Sequence, residues 1–187
     1  KFTELARGKN HKGEKIISLG LGEPFFETPG PIIDETIRAI RNGFTRYSNP
    51  SGLFGLRELI VEKFKLDNDI ITKPENVIVT SGAKQAIMLT LMAILEPGDE
   101  VINFNPCYIS YIPQIKIAEP TSIIHNVDLN REDFSLDWDK IESLMKRNIK
   151  VIILNFPHNP TGQLLTKKDA EKFVDIVKKY NIYIISD

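Results

Sequence analysis

From residue 76 onward the chain alternates between short apolar runs and helical patterns, and this rhythm narrows the folds open to it. Asn76–Thr80 reads as a strand and Ala83–Leu95 as a helix ended by Pro97-Gly98. Glu100–Phe104 is a strand and Tyr108–Ile117 a helix, then Thr121–Val127 a strand and Asp137–Arg147 a helix. Lys150–Phe156, Thr166–Tyr180 and Ile182–Asp187 close the series as strand, helix and strand. The strands are rich in Val and Ile and lack strict alternation, as strands buried on both faces of a parallel sheet do. Strand then helix, repeated, predicts an α/β fold: three layers, α/β/α, with a largely parallel sheet joined by right-handed crossovers.

The first 75 residues are less regular. Phe2–Arg7 hints at a helix and Gly8–Gly13 at a loop, and Ile16–Leu19 is a short extended run. It enters Gly20-Leu21-Gly22-Glu23-Pro24, a turn whose glycines let the backbone approach a ligand closely. Pro29 and Pro31 mark a helix start, with Ile33, Ile37 and Ile40 at helical spacing and Asn42-Gly43 as the stop. Arg46–Gly55 is a loop holding Tyr47, after which Leu56, Leu59, Ile60 and Phe64 predict an amphipathic helix.

Composition excludes several classes of function. The formal charge is -1, with no clustered basic excess to meet a nucleic acid or an anionic membrane. Ala86–Leu95 is the most continuous apolar stretch and is far too short to span a bilayer. Cys107 is the only cysteine, which rules out an intrachain disulfide and favours a reducing compartment, so the expectation is a cytoplasmic protein. The chain opens on Lys1 and closes on Asp187 at the end of a strand-like run, so it is expected to be a fragment of a longer protein.

In a parallel sheet the C-terminal strand ends share one edge, where ligands bind open α/β sheets. Ser81–Lys84, Asn105–Tyr108, Asn155–Gly162 and Asp187 all fall there. Thr80-Ser81-Gly82-Ala83-Lys84 leads into a helix N-terminus, so it reads either as a Ser81 N-cap or as an anion site with Gly82 allowing close approach. Tyr108 is either a core aromatic or a face on which a flat ring stacks. Asn159, set by the Asn-Pro bend at the end of a buried strand, offers a neutral amide. Asp187 ends an apolar strand and either caps a helix, meets solvent, or pairs with a cationic ring nitrogen. Cys107 reads as a small buried residue and His158 as a hydrogen-bonded loop histidine; His11, His125 and His158 have no metal-ligand spacing. The carboxylate pairs Glu132-Asp133 and Asp137–Asp139 lie in polar stretches and receive no catalytic role.

With these residues assembled, the chain resembles the class I/II aminotransferases, fold-type I pyridoxal-phosphate enzymes that include the aspartate aminotransferases. The motifs are GLGEP at 20–24, RYSNPSGLFGLRE at 46–58, VIVTSGAKQAI at 77–87 and LEPGDEVI at 95–102, then Pro106–Tyr111, HNPTG at 158–162 and the terminal SD. They follow in family order. The resemblance implies an N-terminal arm and the start of a substrate-binding segment over 1–45, and the first part of the cofactor-binding large domain over 46–187.

The resemblance also implies roles. Gly22 would offer its backbone to the substrate α-carboxylate, and Tyr47 would reach the cofactor phosphate of a neighbouring subunit in a homodimer. Gly82, Ala83 and Lys84 would cradle the phosphate of pyridoxal 5'-phosphate, with Tyr108 on the pyridine ring. Asn159 would bond the ring's phenolic oxygen and Asp187 its nitrogen. The substrates would be an L-amino acid, with aspartate as the first candidate, and a 2-oxo acid. Phe25-Phe26 depart from the acidic and aromatic residues common after GEP. The lysine that holds the cofactor as a Schiff base is expected beyond Asp187, so the segment itself is expected to be inactive, and Lys84 does not take that role. A β-lyase or cyclase on the same scaffold, and a truncated non-catalytic chain, are the alternatives.

Overall fold

The computed structural model describes Glu4, Gly8, Lys9, Ile16, Ile17, Gly22 and residues 24–187. Of the expected helix at Phe2–Arg7 only Glu4 is described, and it is helical. Gly8 and Lys9, expected to open the Gly8–Gly13 loop, are helical as well, while Ile16 and Ile17 belong to no strand. The rest of these stretches and most of the Gly20–Pro24 turn lie outside the described residues. The chain forms two compact units, Lys1–Ser48 and Asn49–Asp187.

In the first unit, α1 (Gly30–Arg41) starts just after Pro29, with Pro31 in its first turn. A proline is harmless there, because first-turn amides have no partner within the helix. Arg38 and Arg41 sit in the last turn, where the helix dipole favours cations. Asn42 follows as the C-cap and Gly43 turns the chain out at φ +82°.

In the second unit, α2 (Phe54–Asn68) extends the predicted helix at both ends and stops at Asp69, which adopts the left-handed conformation. The Arg57 guanidinium, buried, donates to the Pro74 carbonyl at 2.9 Å and so ties α2 to the short 3-10 turn Pro74–Asn76. The strand expected at Asn76–Thr80 does not form. A strand needs a ladder partner, and the amide of Val79 donates instead to the Ser51 carbonyl in the preceding loop, at 3.0 Å. The segment runs on unpaired into α3 (Ala83–Ile94).

The remaining elements follow the predicted alternation: β1 (Glu100–Asn105), α4 (Tyr111–Ala118), β2 (Ile123–Asp128), α5 (Trp138–Leu144), β3 (Ile149–Leu154), α6 (Lys167–Tyr180) and β4 (Tyr183–Ser186). All three strand pairings are parallel, in the order β2-β1-β3-β4. Successive strand side chains serve opposite faces of the sheet. Val101, Val151 and Ile153 pack with Ile87 and Leu91 of α3 and with Tyr111 and Ile115 of α4. Ile102, Phe104, Ile152 and Leu154 pack with Ile141 and Leu144 of α5 and with Phe173 and Ile176 of α6. These are the two interfaces of the expected three-layer α/β/α fold. Each aliphatic side chain fully buried in them stabilises the fold by about 1.5–3 kcal/mol.

Helix limits moved for local reasons. α4 begins three residues later than expected because Pro106–Ser110 forms a loop that carries Tyr108, whose carbonyl accepts from the Tyr111 amide at 3.1 Å. Asp137 is the N-cap of α5, accepting from the Lys140 amide at 2.9 Å. Arg147 lies past the end of that helix, because its guanidinium reaches Glu100 at the start of β1, 2.6 Å away. Thr166 caps α6 through the Asp169 amide at 3.1 Å.

Candidate active site

Parallel pairing puts Asn105, Asp128, Leu154 and Ser186 at one edge of the sheet. The segments that leave this edge carry the site. Ala83, Lys84, Ile87, Tyr108, Asn159 and Asp187 together line one cavity of about 290 Å³.

One wall is the start of α3. Its N-cap is Gly82, at φ +83° and ψ 166°, and no side chain caps the helix. Ser81 is therefore not the N-cap; its own amide donates to Gln85 Oε1 at 2.6 Å. The first carbonyl of the helix, that of Gly82, accepts from the Gln85 and Ala86 amides. The amides of Ala83 and Lys84 have no acceptor among the described residues. Two free N–H groups at the positive end of a helix, with an ammonium alongside, attract an anion. Gln114, buried on α4, donates to the Lys84 carbonyl at 2.5 Å and fixes this turn.

The second wall is aromatic. Tyr108 is half-buried, with the Lys84 ammonium 5.6 Å from its ring centre and the Tyr111 ring edge-on at 5.5 Å. The Ser110 hydroxyl, and then Lys84, hold the Tyr108 phenol below its ordinary range. Cys107 is half-buried rather than buried, and packs against the α3–α4 core.

The third wall joins β3 and β4. Asp187 follows β4, and its amide donates to the Leu154 carbonyl at 2.8 Å, so the sheet itself positions the residue. Its Oδ2 accepts from the Tyr111 hydroxyl and, at 3.3 Å, from Asn155 Nδ2. Asp187 Oδ1 has no hydrogen bond among the described residues. Burial, and then the carboxylate beside it, push the Tyr111 phenol far above its usual range, so it stays a donor. Asn155 Oδ1 accepts from the Asn159 amide at 2.7 Å and sets the entry to the Asn159 turn. His158 is buried, bonded through Nδ1 to Thr161 at 2.8 Å, and burial lowers its pKa, so it is neutral and braces the turn as a loop histidine. Gly162, at φ +76°, then sends the chain towards α6.

The structure thus gathers Ala83, Lys84, Tyr108, Asn159 and Asp187, with Gly82 capping the first wall. Gly22 and Tyr47 belong to the first unit, both exposed, Tyr47 fully so. Sequence reasoning gave no role to Tyr111, Ile87 and Gln114, nor to Asn155, although Asn155 opens the candidate stretch Asn155–Gly162. The signals were a second tyrosine three positions after Tyr108 and a lone amide directly after the β3 apolar run. A larger cavity, about 610 Å³, is lined wholly by α5, α6 and the turn after α5. Its lysines 146, 172 and 179 are matched by Asp139, Glu142 and Asp175, so it carries no charge preference.

Among the described residues no cluster of His, Cys, Asp and Glu could hold a metal, and no helix is long and apolar enough to cross a membrane. An aromatic face, a carboxylate with a free oxygen, a neutral amide and an anion-binding helix start suit a flat cationic heterocycle that carries an anionic arm.

Known proteins share this arrangement of elements. The family model described as aminotransferase class I and II matches residues 14–187. An aspartate aminotransferase of Thermotoga maritima is 41% identical over 180 residues, covering 94% of this chain and 46% of its own. A probable aspartate aminotransferase of Methanocaldococcus jannaschii is 40% identical over 171 residues, covering 91% and 45%. The crystal structure of a Thermotoga maritima aspartate aminotransferase superposes with a TM-score of 0.93 at 38% identity, covering 100% of this chain and 49% of that one. The chain spans about half the length of the curated relatives it matches. On the family match over nearly its whole length, and on the fold and strand-edge cavity that accompany it, the chain belongs to the class I and II aminotransferases.

Proposed function

We propose that the cavity between α3, Tyr108 and Asp187 holds pyridoxal 5'-phosphate, in a protein that moves an amino group from an L-amino acid to a 2-oxo acid. The observation that carries this reading is the convergence of Ala83, Lys84, Tyr108, Asn159 and Asp187 on one cavity at the C-terminal strand edge. Those residues fit the group. The free amides of Ala83 and Lys84, with the Lys84 ammonium, suit its phosphate, and Gly82 leaves the approach open. The face of Tyr108 suits its ring, and the Asn159 amide suits its phenolic oxygen.

Asp187 has the decisive electrostatic part. Oδ2 is taken by Tyr111 and Asn155, which leaves Oδ1 to accept from the ring nitrogen and keep a proton there. Bound there, the cofactor supplies an electron sink for the carbanion at the substrate α-carbon. Asn159 favours a negative phenolic oxygen without adding charge, and Tyr108 shields the ring from water on one side.

The names of the relatives support aspartate as the amino donor. The proposal extends to Gly22 as a backbone contact for the substrate carboxylate. It also assigns Tyr47 to a neighbouring subunit's phosphate in a homodimer, which its full exposure in this chain leaves it free to reach. Residues 1–45 are then arm and substrate-binding segment, and 46–187 belong to the cofactor-binding domain. A cytoplasmic location fits the single cysteine. The lysine that holds the cofactor covalently is assigned to sequence downstream of Asp187 and not to Lys84.

The test is incubation of the purified full-length protein with pyridoxal phosphate, L-aspartate and 2-oxoglutarate. Glutamate formation that requires both substrates supports the reading. Release of ammonia or thiol without dependence on a 2-oxo acid contradicts transamination and favours a lyase on the same scaffold.

A further inference from the structure

Two walls of the cavity come from different strands, β3 through the Asn159 turn and β4 through Asp187, and one side chain touches both. Asn155 is half-buried directly after β3. Its carbonyl oxygen accepts from the Asn159 amide at 2.7 Å. Its amino group lies 3.3 Å from Asp187 Oδ2 and 3.3 Å from the Asp187 main-chain oxygen. An amide carries an acceptor and a two-hydrogen donor in one rigid plane. Rotation that weakens one set of contacts therefore weakens the other.

We propose that Asn155 is the positioning residue of this site: its single amide locks the Asn159 turn to the Asp187 carboxylate and directs Asp187 Oδ1 towards the ring nitrogen. The inference rests on the cofactor reading above. The chemistry excludes most other side chains at this position. An aspartate lacks the donor and would repel Asp187. A lysine lacks the acceptor and would pair with Oδ2 as a charge, competing with the cationic ring. A serine can serve one neighbour but not both. Tyr111 supports Asp187 from the core side, but its hydroxyl makes no hydrogen bond to the Asn159 turn among the described residues, so it cannot substitute for the link.

With the link cut, Asp187 is still held by its amide and by Tyr111, and Asn159 still follows β3, so the fold survives while the two walls lose their register. The expected result is weaker cofactor binding together with a ring nitrogen that holds its proton less firmly. The second effect is one that loose packing alone would not produce.

The experiment uses the full-length protein, freed of cofactor, in wild-type, Asn155→Ala and Asn155→Ser forms. Pyridoxal phosphate labelled with ¹⁵N in the ring is the probe. Cofactor-free thermal midpoints identify the variants that fold, and Asn155→Ser, which puts one hydroxyl in place of the amide, is the variant read if Asn155→Ala does not. The expected outcome is a dissociation constant raised at least tenfold in Asn155→Ala, less in Asn155→Ser, with the ¹⁵N resonance shifted towards neutral pyridine. Folded variants that bind within twofold of wild type with an unchanged ¹⁵N resonance would overturn the assignment. A wild-type protein that takes up no cofactor would overturn the cofactor reading beneath it, a result distinguishable from the first.

Discussion

Replacing Tyr111 by phenylalanine removes one oxygen and leaves the rest of the side chain where it is. The ring is 2% exposed, in the cluster that holds Leu91, Val101 and Ile115, so apolar burial is unchanged. The loss is the hydrogen bond donated to Asp187 Oδ2. A hydrogen bond to a charged group contributes about 1.5–3 kcal/mol net. Asp187 is exposed to solvent and keeps Asn155 on the same oxygen, so the expected loss at neutral pH is about 1–2 kcal/mol. The alkaline side gives a second, sharper expectation. The folded protein holds the Tyr111 phenol above the ordinary value of 10.0, whereas the unfolded chain releases the proton near that value. A raised folded pKa stabilises below the unfolded value and loses that stability as pH rises past it, at about 1.4 kcal/mol per pH unit. The wild-type advantage over Tyr111→Phe should therefore be gone by about pH 11. Urea unfolding of both proteins at about pH 7 and about pH 11 measures it. Equal stability at neutral pH, or a penalty undiminished at the alkaline pH, would refute the reasoning.

Other substitutions probe the frame that carries the site. Gly52 is at φ +98°, and a Cβ there would lie 2.7 Å from Val79 Cγ2, so Gly52→Ala should lower stability by more than about 2 kcal/mol, read by denaturant midpoint. Gly82 combines φ +83° with ψ 166°, a region open essentially to glycine alone, while its Cβ position is empty. Gly82→Ala should therefore cost about 1–3 kcal/mol through backbone strain, and calorimetry should show it together with weaker pyridoxal phosphate binding. Thr166→Ala removes the acceptor for the Asp169 amide at the start of α6 and should cost about 1 kcal/mol, measurable as a lowered thermal midpoint.

The layered fold was legible because strand–helix alternation is a local pattern, and β1 to β4 lie where the Val- and Ile-rich runs lie. Asn76–Thr80 carries the same local pattern but has no ladder partner among the described residues. Its sequence resembles that of the paired strands, and only the tertiary position of Ser51 decides where the Val79 amide goes. The cavity was half legible. Asn159 announces itself by its Asn-Pro bend, Asp187 as a polar residue ending an apolar run, and Lys84 as a cation at a helix start. Tyr111 and Asn155 do not, because their partners lie 76 and 32 residues away in sequence. Tyr111 in particular reads as helix core, which it is, and its hydroxyl matters only because β4 ends beside it. Ser81 looked like a cap on residue type alone, but the positive φ of Gly82 gave that position to the glycine.

The most direct test of the central claim is a crystal structure of the protein grown with pyridoxal phosphate. Density for the phosphate at the amides of Ala83 and Lys84, with the ring against Tyr108 and its nitrogen on Asp187 Oδ1, is the predicted result. Ordered cofactor elsewhere, or a ring turned so that its nitrogen points away from Asp187, would contradict the account.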